Sequence, residues 1–437
     1  MHAKLLDMKD IEISIKDLRA VKNADIALNG ITILSGVNSS GKSTISRLLY
    51  YAIKYANDYE SVVKLQFSKA FNSILNVVEV LDRELRNYLP DQHIAYYFEY
   101  FSASNEKERR KVLVNALNAY KDLLDKLSKE STNIQFVSRI SHIIQNDVLE
   151  KKTDKSISEL MSDLIANAQQ LFDTEEQMIT ERAYAPYQAF VENKMRELMP
   201  NVVISEYGMP FFGERKVKYL PVLNTVRRIA YIDTPMTVGV LATQPSVEYW
   251  KDLYELLREP LIPANTNSEF ISKISEKIGG EATYDIDSLN SPLLYKRNDG
   301  KVFNLLESAT GIKSFSILQI LLNNGFIDKN TLLIIDEPEA HLHPQWIVEY
   351  ARIIVLIHKH IGTKFFIASH STDFVSAIKY IATKEECLSS LSYYLSEEDA
   401  EKPFSYNYRS LGQDIEPIFE SFNKSFELID KYGTDND

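Results

Sequence analysis

A glycine-rich phosphate-binding loop lies near the start of the chain, between a predicted strand and a predicted helix. Residues 36–43 read GVNSSGKS, which is the G-x-x-x-x-G-K-S pattern. The preceding segment 30–35 is apolar and β-branched, and segment 44–55 repeats apolar residues at helical spacing. A loop placed before a helix N-terminus presents backbone N–H groups to an anion. The sequence therefore predicts an α/β fold that binds a nucleoside triphosphate.

The loop pattern assigns roles to individual residues. Lys42 is expected to reach the β- and γ-phosphates, and the Ser43 hydroxyl is expected to bind Mg²⁺. The alternative, a turn that is merely rich in glycine and serine, is disfavoured because both the strand and the helix are in place. The other residues expected to bind the nucleotide lie in the loop and the first helical turn: Gly36, Asn38, Ser39, Ser40, Gly41 and Thr44.

Composition restricts the class of protein. Lys and Arg number 49 and Asp and Glu number 61, so the formal net charge is 49 − 61 = −12. An acidic chain is a poor candidate for broad nucleic-acid binding, although a local basic patch remains open. The single cysteine, Cys387, excludes an internal disulfide and fits a reducing compartment. Because no apolar run is long enough for a secretory signal or a membrane span, we expect a cytoplasmic protein without a membrane partner.

The pattern along the chain predicts four segments. Residues 1–57 are expected to form an N-terminal ATPase lobe, in which antiparallel N-terminal strands accompany the parallel sheet of the phosphate loop, and 58–200 a helical insertion. Residues 201–425 are expected to form a C-terminal ATPase lobe, and 426–437 an acidic tail. Within the last lobe, 227–232 reads as a strand, 247–280 as helical, and 293–304 as a hairpin around Asn298-Asp299-Gly300.

The insertion is poor in glycine and proline and carries two apolar seams at heptad spacing. Such seams fit either a helical arm that projects from the ATPase body or an ordinary helical subdomain. Each seam is short, which favours a short bundle or short coiled coil over a long rod. The first seam is Leu113, Leu117, Tyr120, Leu124 and Leu127, and the second is Ile157, Met161, Leu164, Ala168 and Leu171.

A second apolar segment, 331–335, ends in two adjacent carboxylates, Asp336 and Glu337. A continuous apolar run is typical of a parallel strand buried on both faces, and ligands bind at the carboxyl ends of such strands. Asp336 is expected to hold Mg²⁺ opposite Ser43, and Glu337 to orient and deprotonate the attacking water. A strand that simply ends in an acidic turn is the weaker interpretation beside a complete phosphate loop.

A third apolar segment, 364–368, delivers Ser369, His370 and Ser371 to the same expected edge of the sheet. His370 is interpreted as a contact to the γ-phosphate that senses its loss. A histidine at a strand end is more often structural, but its position after the two earlier motifs favours the functional interpretation.

The order of these motifs resembles that of the ABC-type ATPases. The resemblance is to the bacterial overcoming-lysogenization-defect (OLD) and RecF/SMC-like group, and it covers roughly residues 1–57 and 200–425. It is carried by DEPEAHLHP at 336–344 and by ATGIKSF at 309–315, which resembles the group's signature loop. The resemblance implies that the nucleotide is ATP and that two heads sandwich two ATP molecules in a head-to-tail dimer.

In such a dimer the signature-like loop of one subunit caps the γ-phosphate that is bound by the other. The residues expected to do this are Ser308, Thr310 and Gly311, with Ala309 standing where the commonest form has serine. Which hydroxyl caps the phosphate stays open. The glutamine-bearing loop of ABC proteins is not placed, and Gln66, Gln169 and Gln170 are weak candidates for it.

His341 and His343 raise the alternative of a zinc site, but the ligand set is incomplete and the resemblance assigns this stretch to the loop that joins subunits. No strand after His370 carries the Asp-x-Asp pair that the group's TOPRIM nuclease domain needs. We therefore expect an ATPase without its own nuclease.

Two functions fit this sequence. The first is an ATP-hydrolysing sensor or motor of a bacterial anti-phage defence system that controls a separate effector, such as a nuclease or a toxin. The alternative is a DNA-repair or chromosome-maintenance ATPase that clamps DNA. The best basic cluster for that alternative, Lys107 with Arg109, Arg110 and Lys111, is more simply explained as the solvated start of a helix.

Overall fold

A computed structural model of the chain describes residues 10–88, 96–145, 154–214, 216–233, 247–259, 268–285, 293–421 and 430–431. The chain divides into two compact units, one formed by 1–57 with 188–437 and the other by 58–187. The predicted domain boundary at residue 200 therefore falls inside the first unit. The predicted acidic tail, 426–437, lies outside the described residues except for 430–431.

One ten-stranded mixed sheet organises the first unit, and a separate sheet has three strands among the described residues. The strands are β1 (Ile11–Leu18), β2 (Val21–Leu28), β3 (Ile31–Ser35), β4 (Val202–Glu206), β5 (Met209–Phe212), β6 (Arg228–Ile232), β7 (Gly280–Tyr284), β8 (Leu293–Arg297), β9 (Val302–Asn304), β10 (Thr331–Asp336), β11 (Lys364–Ser369), β12 (Leu391–Glu398) and β13 (Tyr406–Gly412). The large sheet has the order β5-β4-β1-β2-β13-β12-β3-β11-β10-β6, and the small one β7-β8-β9.

The centre of the large sheet is parallel and buried on both faces. β3 pairs with β11, β11 with β10, and β10 with β6, all in parallel. Every residue of β3 and β10 is buried, which explains why both read as unbroken apolar runs. Register places Ser35 beside Ser369, and Asp336 beside Ala368. The three strands that carry the sequence motifs therefore end at one edge.

The flank of the sheet contains antiparallel strands from both ends of the chain. β1 pairs with β2 and β4 in antiparallel fashion, and its buried residues alternate along the strand. β12 joins β3 in parallel, and β13 joins β2, so the C-terminal strands connect the two halves of the sheet. Sequence analysis did not predict β12 or β13. The predicted α/β fold, with a parallel P-loop sheet, antiparallel N-terminal strands and a helical insertion, is confirmed.

Helices cover the sheet of the first unit and build the second unit. The P-loop helix α1 buries its apolar face, including Ile45, Leu49 and Ile53. The helices are α1 (Lys42–Asn57), α2 (Tyr59–Tyr88), α3 (Tyr96–Ser102), α4 (Glu106–Leu127), α5 (Ile134–Ile144), α6 (Ile157–Glu181), α7 (Tyr184–Met195), α8 (Glu248–Leu257), α9 (Ser268–Ile278), α10 (Thr310–Asn323), α11 (Pro344–Ile361) and α12 (Thr372–Lys384).

Two local predictions in the first unit have different outcomes. The hairpin is confirmed, because β8 and β9 pair in antiparallel fashion and Gly300 adopts a left-handed φ of 85° in the turn. The prediction that 247–280 is helical is only partly right. The described residues form α8 and α9, and the chain enters strand β7 at Gly280, where a side chain would collide with the backbone of Lys296.

The second unit has its own apolar core, which α2, α4, α5 and α6 share. All five residues of the first predicted seam are buried there, and in the second seam Leu171 is only partly buried while Phe172 is buried. Within the predicted basic cluster, Arg110 forms ion pairs with Glu106 and Glu175 at 2.8 Å each. Arg110 is therefore part of the packing of the bundle.

Among the helices that the structure describes, none combines the length and the apolar composition that crossing a lipid bilayer requires.

Candidate phosphate and metal site

The loop between β3 and α1 adopts the backbone conformations of an anion cradle. Ser39 has a left-handed φ of 65°, and Gly36 and Gly41 have φ values of 140° and 98°. The Gly41 carbonyl accepts the Thr44 and Ile45 N–H groups at 3.0 and 3.1 Å, which starts the helix. The N-terminus of α1 therefore stands directly behind the loop, where its dipole favours an anion.

Both motif glycines are also required by packing. A side chain on Gly36 would place its Cβ 1.8 Å from the Ser396 Oγ of β12, and one on Gly41 would lie 2.5 Å from the Val21 Cγ2 of β2. The phosphate loop is therefore pressed against strands from both ends of the chain.

The Lys42 ammonium is held inside the loop. Its Nζ donates hydrogen bonds to the carbonyls of Gly36 at 2.9 Å and Val37 at 2.8 Å. Burial lowers the pKa of Lys42, although the negative charges of Asp336 and Glu337 act to raise it. A partly desolvated ammonium with carbonyl partners is suited to exchange them for phosphate oxygens, which bind a cation more strongly.

Asp336 lies at the end of β10 with an incompletely satisfied carboxylate. Tyr231 Oη donates to its Oδ2 at 2.9 Å, while the buried Oδ1 accepts no well-aligned hydrogen bond. Burial raises the pKa of Asp336, and the Ser43 hydroxyl and Tyr231 oppose this effect. Carboxylate and hydroxyl oxygens suit Mg²⁺. Ser43 and Asp336 therefore fit the metal that the sequence motifs imply.

Glu337 leaves the strand in a different direction from Asp336. Its backbone takes a left-handed φ of 53°, and its N–H donates to the Ala368 carbonyl at 2.8 Å. The side chain is 48% exposed, whereas that of Glu339 is only 7% exposed. An accessible carboxylate beside a buried one is the arrangement that lets Glu337 meet a water molecule.

His370 lies beside both of these carboxylates. Its Nδ1 is 3.2 Å from Glu339 Oε1 and 3.8 Å from Glu337 Oε1, although neither contact has the alignment of a hydrogen bond. The structure thus brings Lys42, Ser43, Asp336, Glu337 and His370 to the same edge of the sheet.

The signature-like residues have other neighbours. Ser308 Oγ donates to the Asn304 carbonyl at 3.3 Å, and Thr310 Oγ1 donates to the His341 carbonyl at 3.2 Å. Ala309 precedes α10 without a side-chain cap, which leaves the first helical N–H groups without a side-chain acceptor. Within the described residues, no hydrogen bond or ion pair joins Ser308, Thr310 or Gly311 to the phosphate loop of the same chain.

Gly311 has a packing role that the sequence did not reveal. It is buried, and a Cβ at this position would lie 2.7 Å from Cε3 of the Trp346 indole on α11. The sequence explained this glycine by the close approach of a phosphate. The close approach of Trp346 is a simpler explanation for it.

Sequence reasoning missed two residues at the site. Both residues belong to β6, the strand beside β10, or follow it directly. Tyr231 lies on β6 and donates a hydrogen bond to Asp336. Asp233 follows the end of β6 and accepts a hydrogen bond from Trp250 Nε1 at 3.3 Å. The apolar run 229–232 followed by Asp233 was the available signal, since parallel strands end at a common edge. The weak glutamine candidates Gln66, Gln169 and Gln170 lie on α2 and α6 in the second unit.

The two histidines considered for zinc have separate surroundings. His343 caps α11 and its Nδ1 accepts from Gln345 N at 3.4 Å, while the His341 carbonyl accepts from Thr310. In the part of the chain that the structure describes, no group of three or more His, Cys, Asp or Glu residues could hold a metal ion by itself.

Comparison with known proteins identifies a similar domain. Residues 247–376 match a family model. Its description is "AAA domain, putative AbiEii toxin, Type IV TA system", and the match covers less than half of the 437-residue chain. It contains the signature-like segment, Asp336, Glu337 and His370, but not the phosphate loop. No curated protein matches the chain.

The solved structures that this chain resembles are distant. The Smc head domain from Pyrococcus furiosus, bound to the C-terminal domain of ScpA, is 10% identical, with 97% of this chain and 99% of that chain covered at a TM-score of 0.32. The ADP conformation of an ATP-binding cassette of an ABC transporter is 11% identical, with 95% and 98% covered at a TM-score of 0.34. At these TM-scores neither likeness carries a residue, ligand or partner over to this chain.

The contact between Gly311 and Trp346 predicts that the effect of Gly311→Ala on the free energy of unfolding changes sign when Trp346 is removed. Alanine normally stabilises a helix relative to glycine by about 1 kcal/mol. Here the clash with Trp346 should outweigh that gain, so that Gly311→Ala lowers the free energy of unfolding by about 1–3 kcal/mol. In a Trp346→Ala background, the same change should be neutral or stabilising.

Urea unfolding of the four proteins tests this reversal. Equal destabilisation by Gly311→Ala in both backgrounds would show that the indole is not the reason for the glycine.

Proposed function

We propose that this chain is an ABC-type ATPase that binds ATP with Mg²⁺ and hydrolyses it between two heads. One observation carries the proposal. Three adjacent parallel strands, β3, β11 and β10, end respectively in the phosphate loop, His370 and the Asp336-Glu337 pair. A phosphate cradle, a metal-type carboxylate and an accessible second carboxylate are the parts that phosphoryl transfer to water requires.

Each residue has a role in this proposal. The loop N–H groups and the α1 N-terminus bind the phosphates, and Lys42 neutralises charge on the β- and γ-phosphates. Ser43 and Asp336 hold Mg²⁺, which supplies further charge neutralisation when bound. Glu337 orients a water molecule and accepts its proton, and His370 contacts the γ-phosphate.

Two copies of the chain complete the site in this proposal. Thr310 and Gly311 contact residues after Asp336, and Ser308 bonds to the Asn304 carbonyl, instead of the phosphate loop of their own chain. The uncapped start of α10 carries the positive end of a helix dipole. A second head placed head-to-tail would bring that positive end to the γ-phosphate, so ATP would bind at a homodimer interface.

Glu337→Gln tests the catalytic assignment. Because the amide cannot accept the proton, kcat should fall by about 10²–10⁴-fold while ATP affinity changes little. ATP should then accumulate a dimer in size-exclusion chromatography with light scattering. Lys42→Ala should bind no ATP and stay monomeric.

Glu281→Gln, the same change at an exposed position of β7, serves as the matched control and should turn over normally. Normal turnover by Glu337→Gln would remove Glu337 as the base, and near-native ATP affinity in Lys42→Ala would remove the phosphate loop.

We infer further that the ATPase is the sensor or motor of a bacterial anti-phage defence system that acts through a separate effector. The support is the matching family model, whose description names a putative toxin of a toxin–antitoxin system. The matched residues include Asp336, Glu337 and His370 but not the phosphate loop, so the shared part would be one half of the proposed motor.

Phage plating on a bacterial host tests this role. A host that expresses the chain with its neighbouring genes should reduce plaque formation at least tenfold, and Lys42→Ala should abolish the reduction. Equal plating with and without Lys42→Ala, at equal protein levels, would reject the defence role and leave the ATPase proposal intact.

DNA binding is the second candidate function, because the first unit contains a basic cavity of about 810 Å³. Five cationic side chains line it, and Glu248 is the only carboxylate among its described lining residues. Glu248 already pairs with Lys194 at 2.5 Å. No carboxylate forms an ion pair with Arg47 or Arg196 within the described residues. The cationic side chains are Arg19, Arg47, Lys194, Arg196 and Lys251.

Removal of two of these charges tests DNA binding. The double variant Arg196→Gln, Lys251→Gln should weaken binding of a labelled DNA duplex. The slope of the logarithm of the binding constant against the logarithm of the salt concentration should become shallower by about 1–2 units. The matched control is Lys16→Gln, Lys296→Gln, which removes the same charge at exposed positions of the same unit. Equal loss in both double variants, or no binding by the unmodified protein, would reject the cavity as a DNA site.

A further inference from the structure

Glu339 is a buried carboxylate with an unusually complete set of partners. Ser369 Oγ lies 3.0 Å from each of its two oxygens, and the His370 N–H donates to Oε1 at 2.8 Å. The side chain is 7% exposed. Burial of a charge is costly unless hydrogen bonds compensate it, and here all of the compensation comes from the segment that carries His370.

The fold brings these groups together through two adjacent attachments. The left-handed turn at Glu337 follows β10, and its N–H is bonded to the Ala368 carbonyl at the end of β11. Glu339 makes the second attachment two residues later. Ser369 Oγ in turn accepts from Ser371 N at 3.1 Å, and Ser371 caps α12. Glu339 therefore fixes the short segment between β11 and α12.

The same carboxylate lies close to one ring nitrogen of His370. Nδ1 is 3.2 Å from Glu339 Oε1. A negative charge beside one nitrogen of an imidazole favours a proton on that nitrogen, and the other nitrogen is then left as the acceptor. In an isolated neutral imidazole side chain, the proton prefers Nε2. The position of Glu339 therefore opposes the intrinsic preference of the ring.

We propose that Glu339 is a positioning residue for His370, fixing its backbone and keeping the proton on Nδ1. Nε2 is then left as the acceptor nitrogen, so that it meets the γ-phosphate through a donor such as a bound water molecule. Carboxylates behind metal-bound histidines set ring orientation and tautomer in this manner, and their loss typically costs about 10–100-fold in activity. The effect on turnover rests on the proposed ATPase function, whereas the tautomer does not.

A purely structural role for Glu339 makes a different prediction. If the carboxylate only held the turn together, its removal would destabilise the protein whether or not His370 were present. If it acts through His370, removal of the imidazole should abolish its effect on turnover. The two roles are therefore separated by the ring tautomer and by a double-mutant cycle.

The tautomer is measured by ¹⁵N NMR of the histidine-labelled full chain without nucleotide, with His370→Ala used to assign the signals. The unmodified protein should show His370 mainly as the Nδ1–H form. Glu339→Gln should increase the Nε2–H form, because it removes the negative charge beside Nδ1. Ser369→Ala is the matched control, since it removes a partner of Glu339 but leaves the contact with Nδ1, and it should keep the Nδ1–H form. An Nε2–H ring in the unmodified protein, or no change in Glu339→Gln, would overturn the proposal.

Turnover is measured with the same variants. Glu339→Gln should lower kcat about 10–100-fold with less than about threefold change in ATP affinity. In the His370→Ala background, the same substitution should change kcat by less than about threefold. A full additional loss in that background would overturn the proposal. If the unmodified protein binds ATP without hydrolysing it, the proposed ATPase function is rejected. The position of the proton on His370 is then tested by the NMR measurement alone.

If Glu339→Gln does not fold, Glu339→Asp replaces it, because it keeps the charge but withdraws it from the ring by one methylene. The same changes in tautomer and turnover are then expected in the same direction.

Discussion

Parallel pairing of β3, β11 and β10 is the constraint on which the candidate site depends. The strands are buried on both faces, and their charged residues lie where a strand begins or ends. Parallel direction then forces those ends to one edge. Residues more than three hundred positions apart in the chain, such as Lys42 and His370, are brought to the same edge because the strands that precede them pair in parallel.

Burial gives this edge its electrostatic character. The pKa of Lys42 is lowered and that of Asp336 is raised, in both cases chiefly because the charged group is removed from water. A ligand of opposite charge therefore compensates each group for its burial. Phosphate would do so for Lys42, and a divalent cation for Asp336. The same loss of water strengthens every interaction that such ligands make, and a preorganised site of this kind does not need to reorganise during reaction.

The sequence predicts those parts of the fold in which local pattern and tertiary role coincide. β3, β10 and β11 were predictable because an apolar run ends in a polar motif. β12 and β13 were not, because their position depends on pairing with β3 and β2, which lie more than three hundred residues earlier. The site shows the same division. Asp336 was predictable from its motif, whereas Tyr231 acts only through its position beside β10.

The turn after β10 connects the two surfaces that the proposed mechanism uses. On one side Glu337 and Glu339 hold the end of β11. On the other, the His341 carbonyl accepts from Thr310, at the start of the helix proposed to face the partner's ATP. A displacement of that helix on dimerisation would act on the His341 contact, which lies within five residues of Glu337, the carboxylate proposed to be catalytic. The short chain distance between these contacts supplies a physical route by which pairing of two heads could govern hydrolysis in each.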